Sequence, residues 1–572
     1  MAKMSRSLSL FSVCALACGA MLSGIFVLPG HAAYIGGPSI YLGFLLAGVL
    51  FLPAVLSTSE MATALPEAGG DYVFIDRALG PAISTVSGIG TWLLLVLKSA
   101  FALAGLGAYL NLIAPIAPDN SLYVAAGIGL LLVGLNAVGV KKSGQLQSLL
   151  VLVSLFVLMV FAQQGSVRID STNFEPFVFD GSYGFLAATA FLFVSYAGIT
   201  KIASAAEEIK NPDRNIPLGM ILSLVVMILL YTVVAYVYVG VVPAEEYGKK
   251  AGAIYADAPI AQAALRLGGT LAEYAVSLVA VLALTSMANA GLLASSRYPM
   301  AMARHEQLPE PFARLNPTTG TPLLAVGFTG AIMIGSLLFL PVVQLAKLAS
   351  GFLLLLFAVL NLSVVIFRES EIEWYKPSFR SPGYPYLQFA GIVFSLVLLP
   401  FLGLLTLAGS IGLCLVGTGW YFLYVSGNVR RRSTVGRSSV RKQDREVLQP
   451  VEEDLLAETH RDQIVLVPFF NLDESELLEA QQRIETVAAL FGDEYTFKVL
   501  HLREAADRYF LDDEFEPREI DHLLERFVRR MNQSGRRRLT FDALSTERSR
   551  GFVRQFCENQ PVAFTVIGWK NS

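Results

Sequence analysis

The chain has 572 residues, of which 54% are hydrophobic and only 16% charged, against about 25% charged in an ordinary soluble chain. More than half of its 43 basic and 46 acidic residues fall after residue 427, which excludes a single globular domain, a collagen, a disordered chain and a disulfide scaffold. A net charge of -3 gives no whole-chain basic field for nucleic acid. The composition is that of a membrane protein followed by a soluble, cytosolic-looking end.

Residues 1–33 combine Lys3, Arg6, an apolar run and Gly30-His-Ala-Ala33, which together have the outline of a signal peptide. The apolar run from Leu8 to Leu28 is nevertheless long for a cleaved segment and suits a membrane span. Ser23-Gly24 also interrupts it in the middle rather than closing it. We read it as a retained first transmembrane helix. Cys14 and Cys18 lie on one face of it, with no acidic or histidine neighbour, and read as small residues for helix packing.

Apolar stretches able to cross about 30 Å of hydrocarbon recur near 8–36, 39–64, 82–114, 122–139, 145–164, 184–206, 218–242, 270–294, 322–341, 343–367, 386–407 and 409–427. Lipid-exposed backbone must satisfy itself, so an all-α polytopic membrane protein of about twelve transmembrane helices is expected. Loops on one side carry Arg77, Lys141, Lys142, Lys210, Arg214 and Arg297 among others, and the opposite loops only Arg168, Lys249, Lys250 and Arg266. The positive-inside rule then places both termini in the cytoplasm. The first span (Gly19 to Gly30) and the sixth (Phe193 to Ser204) are both interrupted at their centres. Interrupted helices at matching places in two five-helix halves point to an inverted-repeat secondary transporter.

Residues 428–460 have polar, Arg/Glu-rich linker composition. Beyond them, strands are expected at 463–468, 496–501 and 561–567, with helices over 474–490 and 518–531. That alternation describes a small α/β domain over 461–572. Its opening strand–helix–strand loosely resembles universal-stress-protein domains, without their Gly-rich nucleotide run: Gly535 and Gly551 stand alone among charges. Arg536-Arg-Arg538 reads as a solvated basic turn.

Several motifs in order resemble one family. Ser23-Gly-Ile-Phe26 is similar to the first-helix break of the amino acid–polyamine–organocation (APC) superfamily of permeases, and Pro66-Glu-Ala-Gly-Gly-Asp-Tyr72 to their loop between helices two and three. Ala205-Ala-Glu-Glu-Ile-Lys-Asn-Pro-Asp-Arg-Asn-Ile-Pro217 resembles the loop after helix six, and Ala294-Ser-Ser-Arg-Tyr-Pro-Met-Ala-Met-Ala-Arg304 the segment after helix eight. The resemblance covers about residues 8–427 and implies a 5+5 inverted-repeat (leucine-transporter-type) core plus two helices, moving amino acids across a plasma (inner) membrane. A helix restarting at Ser23, Gly24 and Ile25 offers amides and partial positive charge to a carboxylate. By position in the family pattern, the carbonyls of Val194, Ser195 and Ala197 take the amine, and Ile199 stands where an aromatic lid is common. Leu22 replaces a usual Gly and Thr200 a frequent acidic residue, and no lysine lies in 145–164, where some relatives carry one.

A charge inside a bilayer is a functional hypothesis by default. Lys98 sits mid-span with no other charge within six residues. It reads either as a tethered cation or proton-linked group replacing sodium, or as a lysine paired to backbone carbonyls. Thr285 and Ser286 in helix eight are the hydroxyls that a sodium ion beside the first break would use. The expected coupling ion is therefore Na+ or H+, with no other cofactor and no metal centre. No nucleophile–base pair or phosphate loop suggests an enzyme. The readings carried are an amino-acid permease, a cation–chloride cotransporter-like ion carrier on the same fold, and a substrate receptor that has lost transport. The expected partners are a small-molecule amino acid and the lipid bilayer, and no nucleic acid.

Overall fold

The computed structural model describes residues 8–65, 70–114, 120–138, 144–199, 201–204, 206, 209–248, 255–317, 319–370 and 375–428, with four strands at 464–469, 496–503, 539–545 and 562–565. The chain divides into two compact units, Met1–Ser438 and Ser439–Ser572.

Among the described residues, the first unit is built of helices joined by loops. In chain order it runs through α1 (Leu10–Met21), α2 (Ser23–Gly36), α3 (Ile40–Ala64), α4 (Asp71–Leu79), α5 (Pro81–Ile113), α6 (Ser121–Val138), α7 (Gly144–Ser166) and α8 (Gly181–Leu192). A short α9 (Lys201–Ser204) follows, then α10 (Pro212–Val241), α11 (Pro259–Arg304), α12 (Leu323–Phe339), α13 (Val342–Glu369), α14 (Tyr386–Leu398) and α15 (Leu404–Trp420). Among the described residues, eight helical stretches are long and apolar enough to cross a membrane, and Gly181–Tyr196, Leu323–Phe339 and Tyr386–Leu402 are shorter apolar helices. One of the eight, Leu10–Ala64, turns back on itself at Gly37, whose φ of 74° favours glycine. Helix occupies every apolar stretch expected from the sequence. The α11 run is bent at Gly268 and Gly269 (φ 69°), so its first turns belong to the loop after α10 rather than to the span expected over 270–294.

Apolar side chains drive little helix association in lipid, so close backbone approach does more of the work. Along α5 a β-carbon on Gly105 would lie 2.4 Å from Val27, and one on Gly291 of α11 would lie 2.1 Å from the hydroxyl of Ser99. These contacts bring α5 against both α2 and α11. An aromatic cluster fills the space beside them, with Phe51 4.4 Å from Phe357 and 5.1 Å from Phe193 between ring centroids.

A buried carboxylate needs partners. Glu60 of α3 is fully buried and accepts from Arg368 of α13 through Nε at 2.8 Å and a terminal nitrogen at 2.6 Å. The Tyr375 hydroxyl at 3.0 Å and the Ser381 amide at 2.8 Å complete its shell. The fork pins the chain after α13 to α3.

In the second unit, β1 (Ile464–Phe469), β2 (Thr496–Arg503), β3 (Leu539–Ser545) and β4 (Val562–Thr565) form one parallel sheet in the order β3-β2-β1-β4. Ile464 pairs with Thr496, and Phe497 with Leu539. The sequence reading lacked β3. Asp542 interrupts its apolar run, and three arginines precede it. The helices expected over 474–490 and 518–531 lie outside the described residues.

Glu60→Gln leaves Arg368 beside a neutral amide in a buried site. A loss of about 3 kcal/mol is expected for breaking such a pair, read as a lower unfolding temperature of the detergent-purified protein. An unchanged transition would show the fork to be dispensable.

Candidate functional site

The two interrupted helices behave differently. Between α1 and α2 only Leu22 is left out, and its φ of −49° and ψ of −29° are right-handed helical. The first break is a one-residue joint rather than an unwound turn. Any L-residue adopts those angles, so a leucine fits where the family pattern usually carries glycine. Ser23, Gly24 and Ile25 form the first turn of α2, where backbone amides lack intrahelical acceptors.

The second break is wider. Phe193–Tyr196 tighten into a 3-10 turn after α8, Ala197 is extended at φ −61° and ψ 136°, and Gly198 takes φ 113°. Ile199 is buried, and its carbonyl accepts the Ile202 amide at 3.1 Å. Thr200 lies outside the described residues, as does the side chain of Lys201.

The breaks meet at two glycines. A β-carbon on Gly24 would lie 2.7 Å from the Cβ and Oγ of Ser195, and one on Gly198 would lie 2.8 Å from the Ala20 Cβ and 3.2 Å from its carbonyl oxygen. Each break thus uses its own glycine to approach the other.

Carbonyls left over at such breaks need donors, and two flanking helices supply them. Lys98 of α5, 3% exposed, donates from Nζ to the Ala20 carbonyl at 3.1 Å and to the Ala197 carbonyl. The Tyr231 hydroxyl of α10 lies 2.5 Å from the Met21 carbonyl oxygen and 3.3 Å from that of Ser195. Each donor therefore spans one carbonyl of the first break and one of the second. From α13, the Ser350 hydroxyl accepts the Val194 amide at 3.2 Å and donates to the Phe191 carbonyl at 3.1 Å. Farther along α5, Tyr109 donates to the Phe26 carbonyl at 2.6 Å, so α5 grips both α1 and α2.

Of the carbonyls expected to take an amine, Ser195 and Ala197 already face Tyr231 and Lys98, and Val194 accepts the Ala197 amide at 3.1 Å. A carbonyl has two lone pairs, so a further donor must share them. The hydroxyls of Ser23 (1% exposed) and Ser195 (fully buried) have no hydrogen-bond partner among the described residues. Buried polar groups are nearly always paired, so an orphaned pair at one place points to a polar ligand. Ser195 Oγ faces the first turn of α2, since it adjoins the position a Gly24 β-carbon would take.

Thr285 and Ser286 are half-buried on α11, and the Thr285 hydroxyl turns back onto its own helix at the Val281 carbonyl, 2.7 Å away. Neither is hydrogen-bonded to the breaks among the described residues. Toward the far end of α2, His31 Nε2 lies 2.6 Å from Asp257 Oδ1 in the segment before α11. Close by in sequence, the Tyr255 hydroxyl donates to Glu273 at 2.7 Å, and partial burial beside that carboxylate pushes it up to about 12. Tyr231, Ser350 and the His31–Asp257 pair escaped the sequence reading. Tyr231 sits within an apolar run and Ser350 beside Gly351, both with the composition of packing residues.

A family model described as amino acid permease matches residues 8–423. The chain belongs to the amino acid permease family. That family lies within the APC superfamily, and membership indicates a multi-pass membrane transporter of amino acids rather than an enzyme. The permease is 29% identical over 442 residues to the branched-chain amino acid permease BcaP of Bacillus subtilis, covering 74% of this chain and 93% of that one. It is 29% identical over 439 residues to the methylthioribose transporter of the same organism, covering 74% and 94%. A vacuolar cationic amino acid transporter 2 of Arabidopsis thaliana is 30% identical over 392 residues, covering 64% of this chain and 60% of its own.

Gly24→Val places a branched side chain against the Ser195 backbone, whose Cα lies 2.8 Å from the added Cβ. The variant is expected to reach the membrane and lose uptake. Undiminished uptake would place the substrate elsewhere.

Proposed function

We propose that this permease is a secondary active transporter of α-amino acids that works by alternating access, with the substrate held at the paired breaks of its first and sixth spans. In this reading twelve helices cross a plasma (inner) membrane, with both termini cytoplasmic and the interrupted helices opening two inverted five-helix repeats. One observation carries the site assignment: Lys98 joins the Ala20 and Ala197 carbonyls beside the partnerless hydroxyls of Ser23 and Ser195. The substrate carboxylate would take those hydroxyls and the first-turn amides of α2, where the helix dipole favours negative charge. Its ammonium would share the break carbonyls.

A lysine ammonium at the breaks repels a second cation in the substrate side chain. The aromatic cluster of Phe51, Phe193 and Phe357 backs the 3-10 turn of the sixth span. Both features favour neutral, apolar side chains, as in the name of the branched-chain relative, over the substrates named for the cationic transporters. Purified protein in liposomes, offered labelled leucine, valine, lysine, arginine and chloride under separate sodium and proton gradients, tests the reading. Chloride uptake without amino-acid uptake would favour the ion-carrier reading instead.

We assign Lys98 as the built-in cation that stands where other transporters bind sodium. Lys98→Met keeps the apolar stem and removes two charge-assisted hydrogen bonds, each worth about 1.5–3 kcal/mol. Uptake is expected to fall by about tenfold or more, with normal membrane insertion. Normal transport by the variant, together with sodium-dependent uptake by the wild type, would instead make the lysine structural and favour Thr285 and Ser286 as ion ligands.

The second unit modulates transport rather than performing it. A chain ended at Ser438 is expected to insert and carry substrate at an altered rate. Complete loss by a correctly inserted truncation would contradict this.

A further inference from the structure

The far end of α2 is clasped by the segment that joins α10 to α11. A β-carbon on Gly30 would lie 3.1 Å from the Pro259 Cβ and 3.2 Å from the Ala256 carbonyl oxygen. One on Gly248 would lie 2.8 Å from the Tyr34 Cβ and 3.3 Å from the Gly30 carbonyl oxygen. Beside these approaches, His31 Nε2 meets Asp257 Oδ1 at 2.6 Å, with side chains 8% and 26% exposed. The segment is itself anchored. Glu246 accepts from Gln262 at 3.0 Å and from Arg266, and the Tyr247 hydroxyl donates to the Val239 carbonyl at 3.3 Å. Moving the far end of α2 away from this anchored segment therefore breaks the His31–Asp257 contact.

That contact changes character with charge. A neutral imidazole gives Asp257 a hydrogen bond, and a protonated one makes the contact an ion pair. Histidine is the side chain whose charge ordinarily changes between about pH 5 and pH 8. The proton is held more firmly with the pair made, so its contribution is present in acid and lost as pH rises. The surrounding groups do not mask this. Tyr109 faces Asp257 from α5, and Tyr238 lies on α10 beside Tyr247; tyrosines stay neutral over that range. Glu246 is paired with Arg266, and Glu273 takes the Tyr255 hydroxyl. On the side of α8, Gly36 meets Ala188 and Gly184, and Asp170, Glu175 and Asp180 before α8 are exposed.

We propose that His31 and Asp257 form a latch, tightened by an external proton, that holds the outer half of the first span against the segment before α11. His31 is a positioning residue: it acts through α2, whose first turn the proposed site uses, and touches no substrate. Acid outside favours the latched arrangement, and alkali favours release. The proposal rests on the reading that both termini are cytoplasmic, which puts this end of α2 outside, and it needs no particular substrate.

Val27 of α2 is fully buried and packs on Gly105 of α5, where an added β-carbon would lie 2.4 Å from it. Val27→Cys, in the full-length chain with its four native cysteines replaced by serine, reports release of α2. A membrane-impermeant maleimide is applied to intact cells and to inside-out vesicles between about pH 5.5 and pH 8. The same reporter chain carrying His31→Gln is labelled in parallel, and the ratio of the two rates cancels the thiol's own pH dependence. From outside, that ratio is expected to rise by about three- to fivefold from pH 8 to pH 5.5. Asp257→Asn, at a partly exposed position, is expected to give the same rise and decides the matter should His31→Gln fail to fold. A ratio that is flat with pH, or that falls in acid, would make the pair merely structural and overturn the latch. So would a reporter that is labelled from neither face. Labelling from the cytoplasmic face alone would overturn both the latch and the assigned orientation. Labelled leucine uptake is measured separately on the unmodified protein. Its absence alongside a pH-dependent ratio would uphold the latch and count against the amino-acid reading.

Discussion

Two helices broken in the middle of a bilayer present carbonyls that water cannot satisfy, and the rest of this structure is arranged around that requirement. Ala20 and Met21 on one break and Ser195 and Ala197 on the other are paired crosswise by Lys98 and Tyr231, which reach in from α5 and α10. The crosswise pairing works only because the breaks touch, and they touch because Gly24 and Gly198 carry no β-carbon. Ser350 then holds the 3-10 turn by both its amide side and its carbonyl side. Unsatisfied backbone groups in hydrocarbon cost several kcal/mol each, so these donors are structural necessities before they are anything else.

The unequal widths of the breaks matter for motion. The first retains helical angles through Leu22, so α1 and α2 can tilt about one residue without large backbone change. The second already contains an extended residue and a glycine in the left-handed region, conformations that only tertiary contacts hold in place. On the proposed function, bending of the first helix would strain the Lys98 and Tyr231 bridges before any other contact of the breaks. On the same proposal, substrate binding at those bridges and helix movement would be coupled through the same four carbonyls, which would give alternating access a defined physical link.

Much of this was legible beforehand because it rests on local signals. The apolar runs, the Ser23-Gly24 interruption and the lone charge of Lys98 stand out from their surroundings in composition alone. The partners of that charge do not. Ala20 and Ala197 lie 78 and 99 residues from it and are ordinary alanines, and only the fold brings their carbonyls to one point. Tyr231 and Ser350 remained hidden because a tyrosine or serine in an apolar helix has a common packing explanation. The Glu60–Arg368 fork joins residues 308 apart, and each alone reads as a loop-end charge. The narrowness of the first break is hidden for a related reason: small residues permit unwinding, but whether the backbone uses that freedom depends on what packs against it.

A cation tethered to the protein differs from a bound ion in one respect that constrains the energetics. Sodium enters with the substrate from one side and leaves on the other, so its gradient contributes free energy to each cycle. Lys98 stays with α5 and is released to neither side. If it fills the ion's place, the work of concentrating substrate must come from a gradient other than that of a bound ion, such as the gradient of a second substrate exchanged for the first.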